Sequence, residues 1–87
     1  MARPAVTIYT SQWCGFCHAA KRLLRSHDVS FHEVDVDGDP ARRSEMTRRA
    51  GGRRTVPQIF IGETHVGGCD DLYALDRAGR LASMLAG

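Results

Sequence analysis

The chain lacks any long apolar run and contains almost no lysine. No stretch of about eighteen apolar residues is present, which argues against a transmembrane helix, and Met1 to Ala5 carries no apolar signal core. We therefore expect a cytoplasmic protein that does not associate with membranes. Lys21 is the single lysine beside eleven arginines, and the formal net charge is only +2.

Cysteine is scarce as well. Cys14, Cys17 and Cys69 form an odd count, and the first two lie too close in sequence to join distant segments. A secreted scaffold held by disulfides fits this pattern poorly, whereas catalysis or metal binding fits it better. The chain has no internal repeat and no low-complexity linker, so residues 1–87 are expected to form one small domain.

The first half of the chain predicts a strand, a helix and a second strand. Val6 to Thr10 is rich in β-branched residues, and apolar residues from Phe16 to Leu24 follow helical spacing up to an end near His27. Polar and apolar residues then alternate from Ser30 to Val36. Strand, helix and strand over this length predict a parallel pair with a right-handed crossover.

The second half predicts a surface helix, a hairpin and two further helical segments. Asp39 is a suitable N-cap for a helix from Pro40 to about Ala50, which has few apolar residues. Gln58 to Val66 is typical of a hairpin, Asp70 to Gly79 of a helix, and Leu81 to Leu85 of a short helical stripe. The expected order is βαβαββα plus a short C-terminal helix, an α/β fold with a four-stranded mixed sheet.

Six arginines fall between Pro40 and Thr55: Arg42, Arg43, Arg48, Arg49, Arg53 and Arg54. Clustered cations attract phosphates, so one interpretation is a nucleic-acid surface. No aromatic residue interleaves with the run, and no nucleic-acid motif surrounds it, so a solvated helix face is favoured. A site for a small acidic ligand is a third interpretation. We expect no nucleic-acid partner.

The segment Cys14-Gly15-Phe16-Cys17 carries the main chemical signal. If a helix begins here, the sulfur of Cys14 lies beside unpaired backbone N–H groups and the positive end of the helix dipole, which favour a thiolate. Cys17 returns to nearly the same helix face and can attack a mixed disulfide on Cys14. Zinc binding is an alternative, but the remaining cysteine and histidines form no second ligand pair. Two unreactive buried cysteines are the other alternative, and a redox dithiol without resident metal is favoured.

Thr55-Val56-Pro57 is the second notable segment. Proline lacks the N–H that a central strand needs, so Pro57 either starts a strand or follows a cis peptide bond. A cis bond would turn the backbone N–H and C=O of Val56 toward an extended peptide ligand. The sequence leaves both alternatives open.

The third segment is Gly67-Gly68-Cys69-Asp70-Asp71. Its glycines allow close backbone approach, and N–H groups that open a helix can hold a carboxylate. The alternative is a turn followed by an N-cap aspartate. Cys69, taken alone, is expected to be a small buried apolar residue.

Together the three segments resemble the glutaredoxin family, of the bacterial glutaredoxin 3 type, over essentially the whole chain. The resemblance is carried by Val6 to Thr10 before Cys14 to Cys17, by Thr55 to Ile61, and by Gly67 to Leu72. It implies a thioredoxin-like fold and a glutathione-dependent thiol-disulfide oxidoreductase. Such an enzyme reduces protein disulfides and glutathione mixed disulfides, with Cys14 attacking and Cys17 resolving.

The resemblance also implies how glutathione is held. Phe16 would shield the site, Val56 would pair with the cysteinyl backbone, Asp70 would lie near the γ-glutamyl amine, and Arg54 or Arg53 would meet the glycine carboxylate. The implied binding set is Phe16, Arg54, Thr55, Val56, Pro57, Gly68, Cys69 and Asp70. The implied partners are glutathione, disulfide-bonded or glutathionylated proteins and, indirectly, the glutathione reductase system; we expect a monomer.

The chain departs from the family pattern at three places. Gly15-Phe16 replaces the proline and tyrosine of many dithiol members and is more typical of the single-thiol branch that carries iron–sulfur clusters. A [2Fe-2S] cluster between two chains, held by Cys14 of each and two glutathiones, is therefore the alternative function. Ser11 stands where many members have a lysine that helps bind glutathione. Trp13 resembles the thioredoxin motif, although Gly67 to Asp70 argues against thioredoxin.

Overall fold

The strands and helices follow the predicted order. The structure, a computed structural model, describes residues 3–87; Met1 and Ala2, part of the segment inspected for a signal core, lie outside the described residues. The elements are β1 (Val6–Thr10), α1 (Gly15–Ser26), β2 (His32–Asp35), α2 (Pro40–Arg49), β3 (Gln58–Ile61), β4 (Thr64–Gly67), α3 (Cys69–Arg77) and α4 (Leu81–Ala86). The predicted α/β class with a thioredoxin-like fold is confirmed.

The four strands form one mixed sheet in the order β2-β1-β3-β4. The parallel pair β1 and β2 places Thr7 opposite His32, as expected for two strands joined by a crossover helix. β1 is antiparallel to β3, with Ile8 opposite Ile59, and β3 is antiparallel to β4. Because β1 and β3 lie at the centre, all four residues of β3 are buried.

Strand alternation divides the core between the two faces of the sheet. Ile8 and Ile59 point to the face covered by α1, α3 and α4, where they pack with Leu24 and other apolar residues. Tyr9 and Phe60 point to the opposite face, where they pack against residues of α2 such as Met46. A sheet covered on both faces follows from this alternation.

The start of α2 agrees with the capping signals in the sequence. The side chain of Asp39 accepts a 3.0 Å hydrogen bond from the backbone N–H of Arg42 and caps α2, with Pro40 in the first turn. α2 buries little besides Met46, as its polar sequence predicts. α3 starts at Cys69, one residue earlier than predicted.

Three local expectations differ from the structure. β2 covers only His32–Asp35 of the predicted Ser30 to Val36, because it is an exposed edge strand with one neighbour. β4 continues to Gly67, which has a φ of +118°. Phe16 belongs to the apolar spacing predicted for the first helix, yet it is 67% exposed, because α1 buries Cys17 at its N-terminal end instead.

No helix formed by residues 3–87 combines the length and the apolar character needed to cross a bilayer.

Candidate active site

Cys14 occupies the N-cap of α1. Its Sγ accepts a 3.1 Å hydrogen bond from the backbone N–H of Cys17, and its thiol donates to the carbonyl oxygen of Val56 at 3.7 Å. The first turn of α1 carries no acidic residue, so the positive end of the helix dipole acts on this sulfur without a competing carboxylate. An N–H donor and a helix N-terminus both stabilise negative charge on sulfur.

Cys17 has the opposite environment. Its side chain is fully buried, and this burial, with the hydrogen bond to Cys14 as the next cause, raises the pKa of the Cys17 thiol to about 12. The thiol of Cys17 is therefore protonated at neutral pH. Cys14, Cys17 and Cys69 are all free thiols, so the described state is the reduced one.

Asp37 fixes the loop that leads to Cys14. Its carboxylate accepts a 2.7 Å hydrogen bond from the Ser11 hydroxyl and a 2.8 Å bond from the backbone N–H of Gln12. Both hydrogen bonds lower the pKa of Asp37, and the bond from Gln12 has the larger effect. Sequence reasoning missed this contact, although Asp37 follows β2 just as Ser11 follows the parallel strand β1.

A groove beside Cys14 gathers most of the predicted glutathione-binding residues. It has a volume of about 140 Å³. Its lining consists of Phe16, Arg53, Thr55, Val56, Pro57, Gly68, Cys69, Asp70 and Asp71. The peptide bond between Val56 and Pro57 is cis, which decides between the two alternatives that the sequence left open.

One wall of the groove is held by Asp71, which sequence reasoning did not assign to the site. Asp71 Oδ2 accepts a 2.9 Å hydrogen bond from the backbone N–H of Gly68 and a 3.1 Å bond from Nη1 of Arg53. The hydrogen bond from Gly68 lowers the pKa of Asp71 most, and the Arg53 guanidinium lowers it further. A Cβ at Gly67 would overlap this carboxylate, so glycine is required there.

Cys69 lines the same groove while packing into the core. Only 8% of its surface is exposed, and burial is the first cause that raises the pKa of its thiol, followed by the Asp70 carboxylate. The expectation that Cys69 is a small buried residue is confirmed.

The two arginines predicted as candidates to bind the glycine carboxylate of glutathione line different depressions. Arg53 lines the groove, whereas Arg54 lines a second depression against α2. The carbonyl oxygen of Arg54 accepts a 3.1 Å hydrogen bond from Nη1 of Arg43, which ties the Arg54 backbone to α2. Within residues 3–87, no three metal-ligating side chains are grouped closely enough to hold an ion.

The model of the glutaredoxin family matches residues 6–66, which include both thiols of the motif and the cis proline. The chain belongs to the glutaredoxin family. Glutaredoxin 3 of Escherichia coli strain K12 is 58% identical over 80 residues, which cover 92% of this chain and 95% of that one. Glutaredoxins are glutathione-dependent thiol-disulfide oxidoreductases, and this chain is an enzyme of that class.

Solved glutaredoxin structures agree with the fold. A solution structure of glutaredoxin from Brucella melitensis is 49% identical, with a TM-score of 0.86 over 99% of this chain and 92% of that one. A crystal structure of a buckwheat glutaredoxin-glutathione complex is 29% identical, with a TM-score of 0.85 over 94% and 76% of the two chains. This glutaredoxin therefore matches its relatives along nearly its whole length.

Proposed function

We propose that Cys14 is the nucleophile of this glutaredoxin and Cys17 the resolving thiol. With a glutathionylated protein, the Cys14 thiolate attacks the glutathione sulfur, the disulfide breaks, and the protein thiolate leaves and takes up a proton. A glutathione thiolate then attacks the glutathione sulfur bound to Cys14, which releases glutathione disulfide and the Cys14 thiolate. The observation that carries this assignment is the Cys17 N–H bond to Cys14 Sγ at a helix N-terminus.

For a protein disulfide, both thiols are used. Cys14 forms a mixed disulfide with one protein sulfur, and Cys17 attacks Cys14 to release the protein thiol and leave a Cys14–Cys17 disulfide. Two glutathiones reduce that disulfide in succession. Because burial raises the pKa of the Cys17 thiol, glutathione competes with Cys17 for a substrate attached to Cys14.

The groove is proposed to bind glutathione in an extended conformation. The Val56 backbone pairs with the cysteinyl unit, Thr55 and Pro57 form the floor, and Phe16 covers the rim. Support comes from the solved structure described as a buckwheat glutaredoxin-glutathione complex, which shares the fold. In this position the two carboxylates of glutathione lie at the two ends of the groove.

The groove ends have complementary charges. Backbone N–H groups at the start of α3, beginning with that of Cys69, receive the γ-glutamyl carboxylate, while Asp70 meets the amine. The N–H of Gly68 is engaged by Asp71.

The Arg53 guanidinium is paired with Asp71 beside Gly68, so it adds positive charge at the γ-glutamyl end of the groove. We therefore assign the glycine carboxylate to Arg54, which adjoins Thr55 away from Gly68.

Residues 1–87 are proposed to act as one domain, as a monomer in the cytoplasm, on disulfide-bonded or glutathionylated proteins. The glutathione disulfide produced would be reduced by the glutathione reductase system. A match over 95% of the length of the Escherichia coli relative supports the single domain.

A [2Fe-2S] cluster bridging two chains is the second candidate function. Its motivation is Gly15, where a Cβ would meet no atom within 4 Å, so the segment beside Cys14 is sterically open. Such a cluster needs four thiolate ligands, and one chain offers Cys14 alone because Cys17 is buried. Anaerobic reconstitution with glutathione decides this: a brown dimer supports the cluster, and a colourless monomer rejects it.

Substitution of the thiols tests the proposed chemistry. Cys14→Ser should lower turnover of a glutathione mixed disulfide by about a hundredfold or more, because no other exposed thiol can attack. Cys17→Ser should retain that turnover but lose reduction of a protein disulfide by the two-thiol route. The rate is measured as NADPH consumption coupled to glutathione reductase, with wild type as the reference. Substantial activity in Cys14→Ser would overturn the assignment.

A further inference from the structure

Gln58 is a fully buried polar side chain in β3, an inner strand of the sheet. Its amide must therefore find its hydrogen-bond partners inside the protein. The amide nitrogen donates to the Thr55 carbonyl oxygen at 3.0 Å and to the Thr55 hydroxyl oxygen at 3.3 Å. The amide oxygen lies 2.7 Å from Nε2 of His65. The proposed chemistry of the thiols makes no use of this chain of contacts.

The Thr55 carbonyl fixes the direction of these hydrogen bonds. A carbonyl oxygen only accepts, so the amide nitrogen of Gln58, and not its oxygen, must face Thr55. The Gln58 oxygen then faces His65, and because this oxygen also only accepts, Nε2 of His65 must carry a proton. Burial, followed by the Arg53 charge, lowers the pKa of His65, so near neutral pH the ring is neutral and its Nδ1 carries no proton.

Aromatic packing holds the His65 ring where it reaches Gln58. Alternate residues of a strand share a face, so Gln58 and Phe60 point to the same side of β3. His65 of β4 lies opposite Phe60, and the two rings stack with their centroids 5.0 Å apart and their planes 30° apart. Phe60 is itself buried, and the Arg49 guanidinium lies 4.2 Å from its ring centroid. The orientation of the His65 ring is therefore fixed by its neighbours.

The same contacts orient the peptide unit that leads into the glutathione groove. The cis bond found among residues 3–87 is Val56–Pro57, so the Thr55–Val56 peptide is trans. In a trans peptide unit the C=O and N–H groups point in opposite directions. Because the buried Gln58 amide holds the Thr55 carbonyl, the Val56 N–H points away from Gln58, and Val56 lines the groove.

We propose that His65 is a positioning residue for glutathione, which acts through the buried Gln58 amide on the Val56 N–H. The His65 ring holds the Gln58 oxygen, and the Gln58 nitrogen holds the Thr55 carbonyl. The Val56 N–H is thereby presented to the cysteinyl carbonyl of glutathione. His65 is not part of the groove lining, so it acts only through its neighbours. This inference rests on the proposed function, in which glutathione pairs with Val56.

The first test observes the His65 proton directly in the wild-type protein. With ¹⁵N-labelled histidine, NMR at about pH 7 should show a protonated Nε2 and an unprotonated Nδ1 for His65. The Nε2 proton should exchange slowly enough with water to be seen, unlike that of His32, which is exposed on the edge strand β2. Gln58→Met removes the acceptor and should make the His65 proton exchange faster. A His65 ring protonated on Nδ1 alone would overturn the proposal.

The second test measures KM for the mixed disulfide of glutathione and β-mercaptoethanol. His65→Phe keeps a ring to stack on Phe60 but leaves the buried Gln58 oxygen without a donor. We expect KM to rise about three- to tenfold, with kcat changed by less than about twofold. His65→Gln supplies an amide N–H to the same oxygen and should keep KM within about twofold of wild type, as should the control His32→Phe. A wild-type KM in folded His65→Phe, or equal rises in His65→Phe and His65→Gln, would overturn the proposal.

A double variant separates positioning from a general loss of structure. Gln58→Met should itself raise KM, and adding His65→Phe should raise it by less than about twofold more, because both changes interrupt one chain of contacts. Effects that multiply would overturn the proposal.

Iodoacetamide labelling of Cys14 makes no use of glutathione, so its rate should change by less than about twofold in each of these variants. A loss of labelling that matches the change in KM would assign the effect to the thiol and overturn the proposal. Turnover retained by Cys14→Ser would instead reject the proposed function, and the proton on His65 would still be decided by NMR.

Discussion

The backbone N–H of Cys17 donates a 3.1 Å hydrogen bond to Sγ of Cys14. Cys17, whose own thiol is buried, thereby stabilises the accessible sulfur of Cys14 through its backbone N–H. The start of α1 gives the two thiols different surroundings: Cys14 is the N-cap, and Cys17 lies inside the first turn with no exposed surface. This asymmetry is the physical basis of their proposed division of labour.

The first prediction concerns the reactivity of Cys17. Its pKa is raised to about 12, so at about pH 8 its thiolate fraction is far below that of an ordinary cysteine. Iodoacetamide should therefore label Cys14 first and Cys17 more than about tenfold more slowly, as measured by mass spectrometry of peptides. Labelling in denaturant should equalise the two rates. Equal rates in the folded protein would contradict the prediction.

The second prediction concerns Gly67. A Cβ at this position would overlap the Asp71 carboxylate and approach Arg53, and the φ of +118° adds backbone strain. Gly67→Ala should cost about 1–3 kcal/mol in the free energy of unfolding and raise KM for a glutathione mixed disulfide. Urea denaturation and steady-state kinetics measure the two effects.

Gly38→Ala is the matched control for Gly67→Ala. Its φ is +66°, but a Cβ there meets no atom within 4 Å, so it tests backbone strain alone. We expect some loss of stability and no change in KM. If Gly67→Ala keeps the wild-type KM, Asp71 and Arg53 do not shape the glutathione site.

The third prediction is the pH dependence of stability. The pKa of Asp71 is lowered in the folded protein by the Gly68 N–H and then by Arg53. Its contribution is therefore present above the unfolded pKa of about 4, and is lost as pH falls through the lower folded value. Asp71→Asn should lose no more than about 1 kcal/mol near neutral pH, since the carboxylate is half exposed.

The same variant should also show a flatter decline of stability below about pH 4. Some loss of stability with falling pH will remain, because hydrogen bonds also lower the pKa values of Asp37 and Glu33. For Glu33 the largest cause is the hydrogen bond from Thr10. Urea midpoints at neutral and acidic pH, with Asp70→Asn as the adjacent control, provide the measurement. An unchanged acid slope in Asp71→Asn would refute the linkage.

The fourth prediction concerns the loop before Cys14. The Gln12 N–H donates to Asp37 at 2.8 Å, so Asp37→Ala should make this amide exchange with solvent about fivefold faster. Ser11→Ala removes only the hydroxyl bond and should leave Gln12 protected. Hydrogen exchange followed by NMR distinguishes the two variants. Identical Gln12 exchange in Asp37→Ala and wild type would show that the carboxylate does not hold the loop.

The sequence by itself determined the elements and the placement of the thiols. The β-branched run of β1, the Asp39-Pro40 start of α2 and the turn between β3 and β4 are local signals, and their energies act within a few residues. The position of Cys14 at a helix N-terminus likewise follows from a strand and a helical pattern that adjoin it. Periodicity failed at Phe16 because one apolar residue at a helix start does not show which side the sheet will cover.

Only the tertiary structure decided which side chains share the groove. Arg53 and Arg54 are neighbours in sequence, yet they face different depressions because the loop path depends on contacts with α2 and α3. The cis and trans forms before a proline differ by only about 1 kcal/mol, so local sequence cannot choose between them. Asp37 meets Ser11 across 26 positions of the chain, since the parallel register of β1 and β2 aligns their ends. Each of these contacts joins residues whose distance is set by the whole sheet rather than by neighbouring positions in the sequence.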